Sequence, residues 1–173
     1  QHGAWNIRIA KDDEEAAALW HGRKAAFPAV GRISPDYYCM DGTIPRSQVG
    51  YVLTRISELS QAYGLRVANV FHAGDGNLHP LILFDASIDG ELEQAELLGA
   101  DILTLCVDVG GTITGEHGVG LEKMPQMPYQ FGDAELAQFR RLKAAFDSEA
   151  LLNPGKGIPT LKYCQEYRSL QHG

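Results

Sequence analysis

The sequence predicts an α+β fold in which helices cover an antiparallel sheet. Two strand-like runs, residues 66 to 72 and 78 to 84, flank a Gly-Asp-Gly-Asn cluster at positions 74 to 77, which is a hairpin signal. Several other stretches carry apolar residues at the three- and four-residue spacing of helices that bury one face. The elements follow in the order strand, helix, strand, helix, hairpin, helix, an order compatible with that class.

Taken in turn, residues 5 to 10 alternate well enough for a first strand. Asp12-Asp13-Glu14-Glu15 then supplies acidic residues suited to the positive end of a helix dipole. That helix is expected from Asp13 to Ala26, with Ala16, Leu19, Trp20 and Ala26 apolar. Arg23 lies one turn beyond Leu19 and Trp20, near the buried stripe. It is either a solvated flank residue or an anion clamp, and the pattern alone favours the flank. Phe27-Pro28-Ala29-Val30-Gly31 breaks the helix. A strand from Asp36 to Ile44 is closed by Pro45, and a helix from Arg46 to Tyr63 follows, with Val49, Val52, Leu53, Ile56 and Leu59 on one face and Gly64 at its C-cap. After the hairpin, helices are expected from Leu92 to Val109 and from Asp133 to Phe146, the second presenting Leu136, Phe139, Leu142 and Phe146. Residues 151 to 157 form a turn-rich exit, and the tail beyond Pro159 carries no readable pattern. No repeat, low-complexity run or linker divides the chain, so residues 1–173 read as one domain.

At 173 residues and 45% hydrophobic content the chain can build a soluble core. Twenty-two acidic against fifteen basic residues, a net charge of -7, is the wrong sign for a general nucleic-acid binder. Cys39, Cys106 and Cys164 are odd in number and lack CxxC spacing, which argues against a disulfide framework and favours a reducing cytosol. No apolar run approaches the ~18–20 residues that cross a bilayer, so no transmembrane segment is expected. The start at Gln1-His2-Gly3, without methionine or signal-peptide pattern, reads as a fragment of a longer polypeptide.

The chemistry is concentrated in two places. With Asp75-Gly76 as a two-residue turn, Gly74 pairs with Asn77, Ala73 with Leu78 and His72 with His79, so two imidazoles face each other at roughly 4.5–5.5 Å between Cβ atoms. A single hairpin histidine is ordinarily just hydrogen-bonded. Two paired across a glycine-rich turn favour ligand or catalytic use, and with a carboxylate they suit zinc or another divalent transition metal. The second place is the run from Gly110 to Gly120, which contains five glycines and Glu116-His117. It lacks the glycine order and the Gly-Lys-Ser/Thr ending of nucleotide loops, so a phosphate cradle is a weak reading. In an extended backbone Glu116 and His117 point to opposite sides, one toward a metal and the other toward a substrate. The alternative is a plain surface turn carrying two polar residues.

Read together, residues 69–80 (NVFHAGDGNLHP), 114–120 (TGEHGVG) and 151–156 (LLNPGK) resemble the C-terminal part of FAD-linked 2-hydroxy-acid oxidoreductases, which include D-lactate and D-2-hydroxyglutarate dehydrogenases and glycolate oxidase. The run from Gly22 to Pro45 brings the resemblance closest to the glycolate oxidase branch. The resemblance implies a ferredoxin-like cap over a separate FAD-binding domain that this chain does not include, with FAD bound mainly outside it and the cap shortened at its N-terminus. It implies metal ligands at His72, His79 and Glu116, a substrate contact at Asn77, a catalytic base at His117 and a carboxylate-gripping guanidinium at Arg23. It also implies oxidation of a small 2-hydroxy acid, partner oxidase subunits including an iron–sulfur subunit, and a cytoplasmic protein at the inner membrane face.

These residue types suit that chemistry. A divalent ion stabilises charge developing on a substrate hydroxyl, an imidazole can accept a proton near neutral pH, and a guanidinium fork holds a carboxylate bidentately. Where the 2-hydroxyglutarate branch has a lysine for a second carboxylate, this sequence has Cys39, which favours glycolate or D-lactate. Two other classes remain as alternatives: a stand-alone His/His/Glu metal module or small metal hydrolase, and a folded interaction domain.

Overall fold

The computed structural model describes residues 6–159. Its sheet has three antiparallel strands, β1 (Asp36–Cys39), β2 (Val67–His72) and β3 (Asn77–Phe84), in the spatial order β1-β3-β2. Helix α3 (Val49–Tyr63) connects β1 to β2, and α4 (Glu91–Asp108) follows β3. This is the split β-α-β arrangement of a ferredoxin-like layer. Its fourth strand is reduced to one bridge: after α4 the chain returns beside the segment that continues β1, where Thr43 bridges Thr112. The expected α+β class, a sheet covered by helices, is therefore the observed one.

The central strand β3 is buried along its whole length. Leu78, Ile82 and Phe84 pack with Val52 and Ile56 of α3 and with Leu98, Ile102, Leu103 and Cys106 of α4. Helix α3 ends as expected, on Gly64 in the left-handed conformation at φ 70°. Leu81 and Leu83 point to the other face and meet Phe27 and Val30 of the short helix α2 (Ala26–Val30). The segment expected to break the first helix is thus itself one helical turn. Pro28 fits there because the first turn has no intrahelical use for its missing N–H.

Three other expectations are corrected. Residues 6–10 form no strand, and Trp5 lies outside the described residues. Helix α1 (Asp13–Lys24) starts at the expected acidic run, with Asp12 as its N-cap accepting from the Glu15 N–H at 2.8 Å, yet it buries no residue: Leu19 is 41% and Trp20 64% exposed. Periodicity identifies an apolar stripe but not whether anything lies against it. The expected strand at 36–44 is ordered only to Cys39. Beyond it the chain still follows β3 without a shift in register, since Cys39 pairs with Leu81 and Thr43 with Asn77.

Toward the C-terminus come two short turns of helix, α5 (Met127–Gln130) among them, and α6 (Asp133–Phe146). Glu135 caps α6 by accepting from the Gly132 N–H at 2.7 Å, and Leu136 anchors the helix in the core. Among the described residues no helix is long and apolar enough to cross a membrane.

Candidate functional site

The hairpin closes two residues away from the expected register. His72 pairs with Asn77, and Val70 with His79. The loop has four residues, its Asp75 and Gly76 N–H groups both donating to the His72 carbonyl at 3.0 Å. Gly76, at φ 74°, lets the chain turn back. His72 and His79 are therefore diagonal rather than opposite. A two-residue shift keeps every side chain on its face, so the two rings still approach, edge to face, with centroids 5.4 Å apart.

Alternation along β3 places Asn77 and His79 on the face shared with Leu81, the side of the sheet that α2 covers. His79 is only 4% exposed. The Phe27 ring stands 6.4 Å from it edge-on, and the His117 ring stacks on it at 5.1 Å. Its Nε2 lies 2.7 Å from Oε1 of Glu116, and the same oxygen is 3.8 Å from Nε2 of His117. Glu116 and His117 therefore converge on one neighbour, contrary to the expectation for an extended backbone.

The cause is Asp41, which the sequence reading passed over. Its fully buried carboxylate accepts from the Thr114 hydroxyl at 2.8 Å, from the N–H groups of Gly115 and Glu116 at 3.2 Å, from that of His117 at 2.8 Å, and from Lys123 Nζ at 3.0 Å. Three successive amides turned toward one anion curl the chain into a nest and bring both side chains to the same side. Burial by itself raises the Asp41 pKa, but the His117 N–H, the Thr114 hydroxyl and Lys123 outweigh it and hold the carboxyl well below the ordinary range. The register offered a signal: continued past Cys39 and Leu81, it sets Asp41 across from His79 on the same face.

Gly115 makes the fit close. A Cβ there would lie 2.3 Å from Thr43 Oγ1 and 2.7 Å from Asn77 Nδ2. Arg23 points its guanidinium toward the hairpin end of the sheet, Nη2 lying 3.5 Å from the Phe71 carbonyl. Cys39 is half-buried on the site face, its thiol pushed up to about 11 chiefly by burial and next by the Asp41 charge.

Ligand atoms of Asp41, His79, Glu116 and His117 lie within 4.8 Å of one another, as do those of Cys39, His79 and His117. His72 belongs to neither set and is exposed. Asp41 is already engaged by five donors, which leaves the imidazoles and Glu116 as the available ligands. Their chemistry fits a divalent cation. His79 Nδ1 is buried with no partner. If Nε2 carries the proton and bonds Glu116, Nδ1 is a stranded acceptor, which costs about 1–3 kcal/mol. If Nδ1 carries it, a lone pair on Nε2 faces a carboxylate, an arrangement that a cation between them relieves.

A family model described as FAD linked oxidases, C-terminal domain, matches residues 1–157. The chain belongs to this family. It is 61% identical to glycolate oxidase subunit GlcD of Escherichia coli over 173 residues, which is 99% of this chain and 35% of that protein. It is 38% identical to the Bacillus subtilis subunit of the same name over 153 residues, 88% of this chain and 33% of that one. The mitochondrial D-lactate dehydrogenase (cytochrome) of Arabidopsis thaliana is 33% identical over 161 residues, 92% of this chain and 28% of that protein. The chain thus spans about a third of the length of these relatives. In this FAD-linked oxidase domain, residues 69–80 lie on β2–β3, residues 114–120 on the Asp41-bound loop and residues 151–156 on the exit after α6.

Proposed function

We propose that this domain is the substrate-binding and catalytic cap of a flavin-dependent 2-hydroxy-acid oxidoreductase that converts glycolate to glyoxylate, D-lactate being the second substrate of the same class. The observation that carries the reading is the convergence of His79, Glu116 and His117 on the α2 side of the sheet in a chain that resembles glycolate oxidase subunits along nearly its whole length. The FAD-binding domain belongs to the remainder of the full-length protein. The word subunit in the relatives' names supports partner subunits in electron transfer, for which we propose an iron–sulfur protein at the cytoplasmic membrane face.

In this proposal Arg23 receives the substrate carboxylate and fixes the orientation of the α-carbon. Asn77, buried beside Gly115, bonds the substrate through its Oδ1, which has no partner in the protein. His117 is half-exposed and accepts the substrate hydroxyl proton; a bound flavin would supply the hydride acceptor. His79 and Glu116 would hold a divalent cation, with His72, whose ring lies 5.4 Å from that of His79, as the third ligand. Bound there, the cation would stabilise negative charge developing on the hydroxyl oxygen. Stacking on the buried His79 ring orients His117, so each group has one task. Cys39, neutral because burial raises its pKa to about 11, offers no cation for a second carboxylate, which supports a monocarboxylate substrate. A stand-alone metal hydrolase would need none of the FAD-linked relatives and is not favoured.

The test is dye reduction by the full-length flavoprotein with glycolate and with D-lactate, beside elemental analysis of parent and His79→Ala protein. His117→Gln should lower flavin reduction by about 10²–10⁴-fold, and His79→Ala should lose bound metal. If neither acid reduces the flavin in the parent, the proposal is wrong. If His117→Gln matches the parent, His117 is not the base.

A further inference from the structure

Asp41 is the one fully buried carboxylate in the described core, and all of its donors but one come from residues 114–117. The remaining donor, Lys123, is itself buried, at 2% exposure, and its Nζ also lies 3.4 Å from the Thr114 hydroxyl. The Gly115 N–H additionally bonds the Asp41 main-chain carbonyl at 2.8 Å. A loop with glycines at 115, 118 and 120 has no conformation of its own to defend. Here residues 114–117 have one, imposed from inside by a single residue.

We propose that Asp41, neutralised by Lys123, is the positioning residue for the oxidation described above, holding Glu116 and His117 against His79. The inference rests on that reading of function and extends it to residues outside the reacting groups. Asp41 acts through the backbone: because the amides of 115–117 are turned inward to it, the side chains of 116 and 117 are turned outward onto the His79 ring. A carboxylate is needed because it is acceptor-only. An asparagine would present an NH₂ group to amide donors and to the Lys123 ammonium, and would leave that ammonium buried without a counter-charge. Lys123 in turn removes the penalty of an isolated buried anion, which allows Asp41 to sit within the core beside the site.

The test uses the full-length flavoprotein and three readouts: the limiting rate constant of flavin reduction by glycolate in rapid mixing without an electron acceptor, the glycolate dissociation constant, and hydrogen exchange of the 115–117 amides. Asp41→Asn combined with Lys123→Met removes both charges together, leaves neither buried alone, and should melt closer to the parent than Asp41→Asn does. Asp41→Glu keeps the charge pair but adds a methylene that displaces the loop. In both variants the reduction rate should fall by about 30- to 100-fold, since a displacement of about 1 Å can cost 10² in rate. The dissociation constant should stay within about threefold of the parent, because Asp41 touches no substrate and the loss then falls on the transition state alone. Amide exchange at 115–117 should accelerate. A purely structural role predicts instead that rate recovers with melting temperature. A stable variant that reduces flavin at the parental rate, or keeps the parental protection at 115–117, overturns the inference. If the parent itself does not oxidise glycolate or D-lactate, the functional reading fails while the exchange arm still judges Asp41.

Discussion

Gly76 offers a sharp test of how the hairpin is held, because Gly74, two residues away, is a matched control. Gly76 sits at φ 74°, and a Cβ built on it would lie 2.1 Å from the Ile44 carbonyl oxygen. That atom is backbone and cannot swing aside. Its own residue is tied to Gly76, the Ile44 N–H donating to the Gly76 carbonyl at 2.9 Å. Three costs therefore meet in Gly76→Ala. The left-handed conformation costs a residue with a Cβ roughly 1–2 kcal/mol. Overpacking costs about 1–3 kcal/mol, and displacing Ile44 forfeits a hydrogen bond worth about 1 kcal/mol. Allowing for relief of the clash by partial movement, the total is roughly 3–5 kcal/mol, a large part of the ~5–15 kcal/mol that holds a domain together. Gly74→Ala meets nothing within 4 Å and needs no left-handed conformation, so its cost should stay below about 0.5 kcal/mol. Urea unfolding followed by circular dichroism should show the Gly76→Ala midpoint lower by about 2 M with the slope unchanged, for a slope of about 1–3 kcal/mol/M. Equal midpoints for the two alanine variants would refute the reasoning, and with it the claim that Ile44 and Gly76 lock the turn that presents Asn77 and His79.

Two further outcomes are expected. In the full-length enzyme Cys39→Lys should raise turnover of 2-hydroxyglutarate relative to glycolate by supplying a cation on the site face; an unchanged ratio in parallel dye-reduction assays would remove Cys39 from the substrate's distal side. The Asp41 carboxyl is lowered on folding, so the folded state binds its proton less readily than the unfolded chain, whose carboxyl titrates near pH 4. Its contribution to stability is complete above about pH 4 and is lost progressively as pH falls from there through the carboxyl's own lowered pKa in the folded state. Asp41→Asn should accordingly cost more stability at pH 7 than at pH 3, measured by urea unfolding at the two values; a larger loss at pH 3 would contradict the assigned cause.

Much of this protein is written in local pattern. The helices at 91–108 and 133–146, the Gly64 cap of α3 and the hairpin between β2 and β3 follow from spacing and turn chemistry that any few neighbouring residues carry. His72, Asn77 and His79 could be placed on one face even with the register misjudged, because a slip of two residues leaves side-chain alternation intact. The sequence also carried the family, through three motifs whose order survives without any knowledge of their contacts. What it could not carry were relations between residues far apart in the chain. Whether α1 buries Leu19 and Trp20 depends on what lies against it, and nothing in its own periodicity answers that. The turning of Glu116 and His117 toward His79 depends on Asp41, 75 and 76 residues earlier, and on Lys123 to neutralise it. Alternation read in an extended chain sends the two side chains apart. Only the folded sheet, by setting a buried anion under three amides, brings them together.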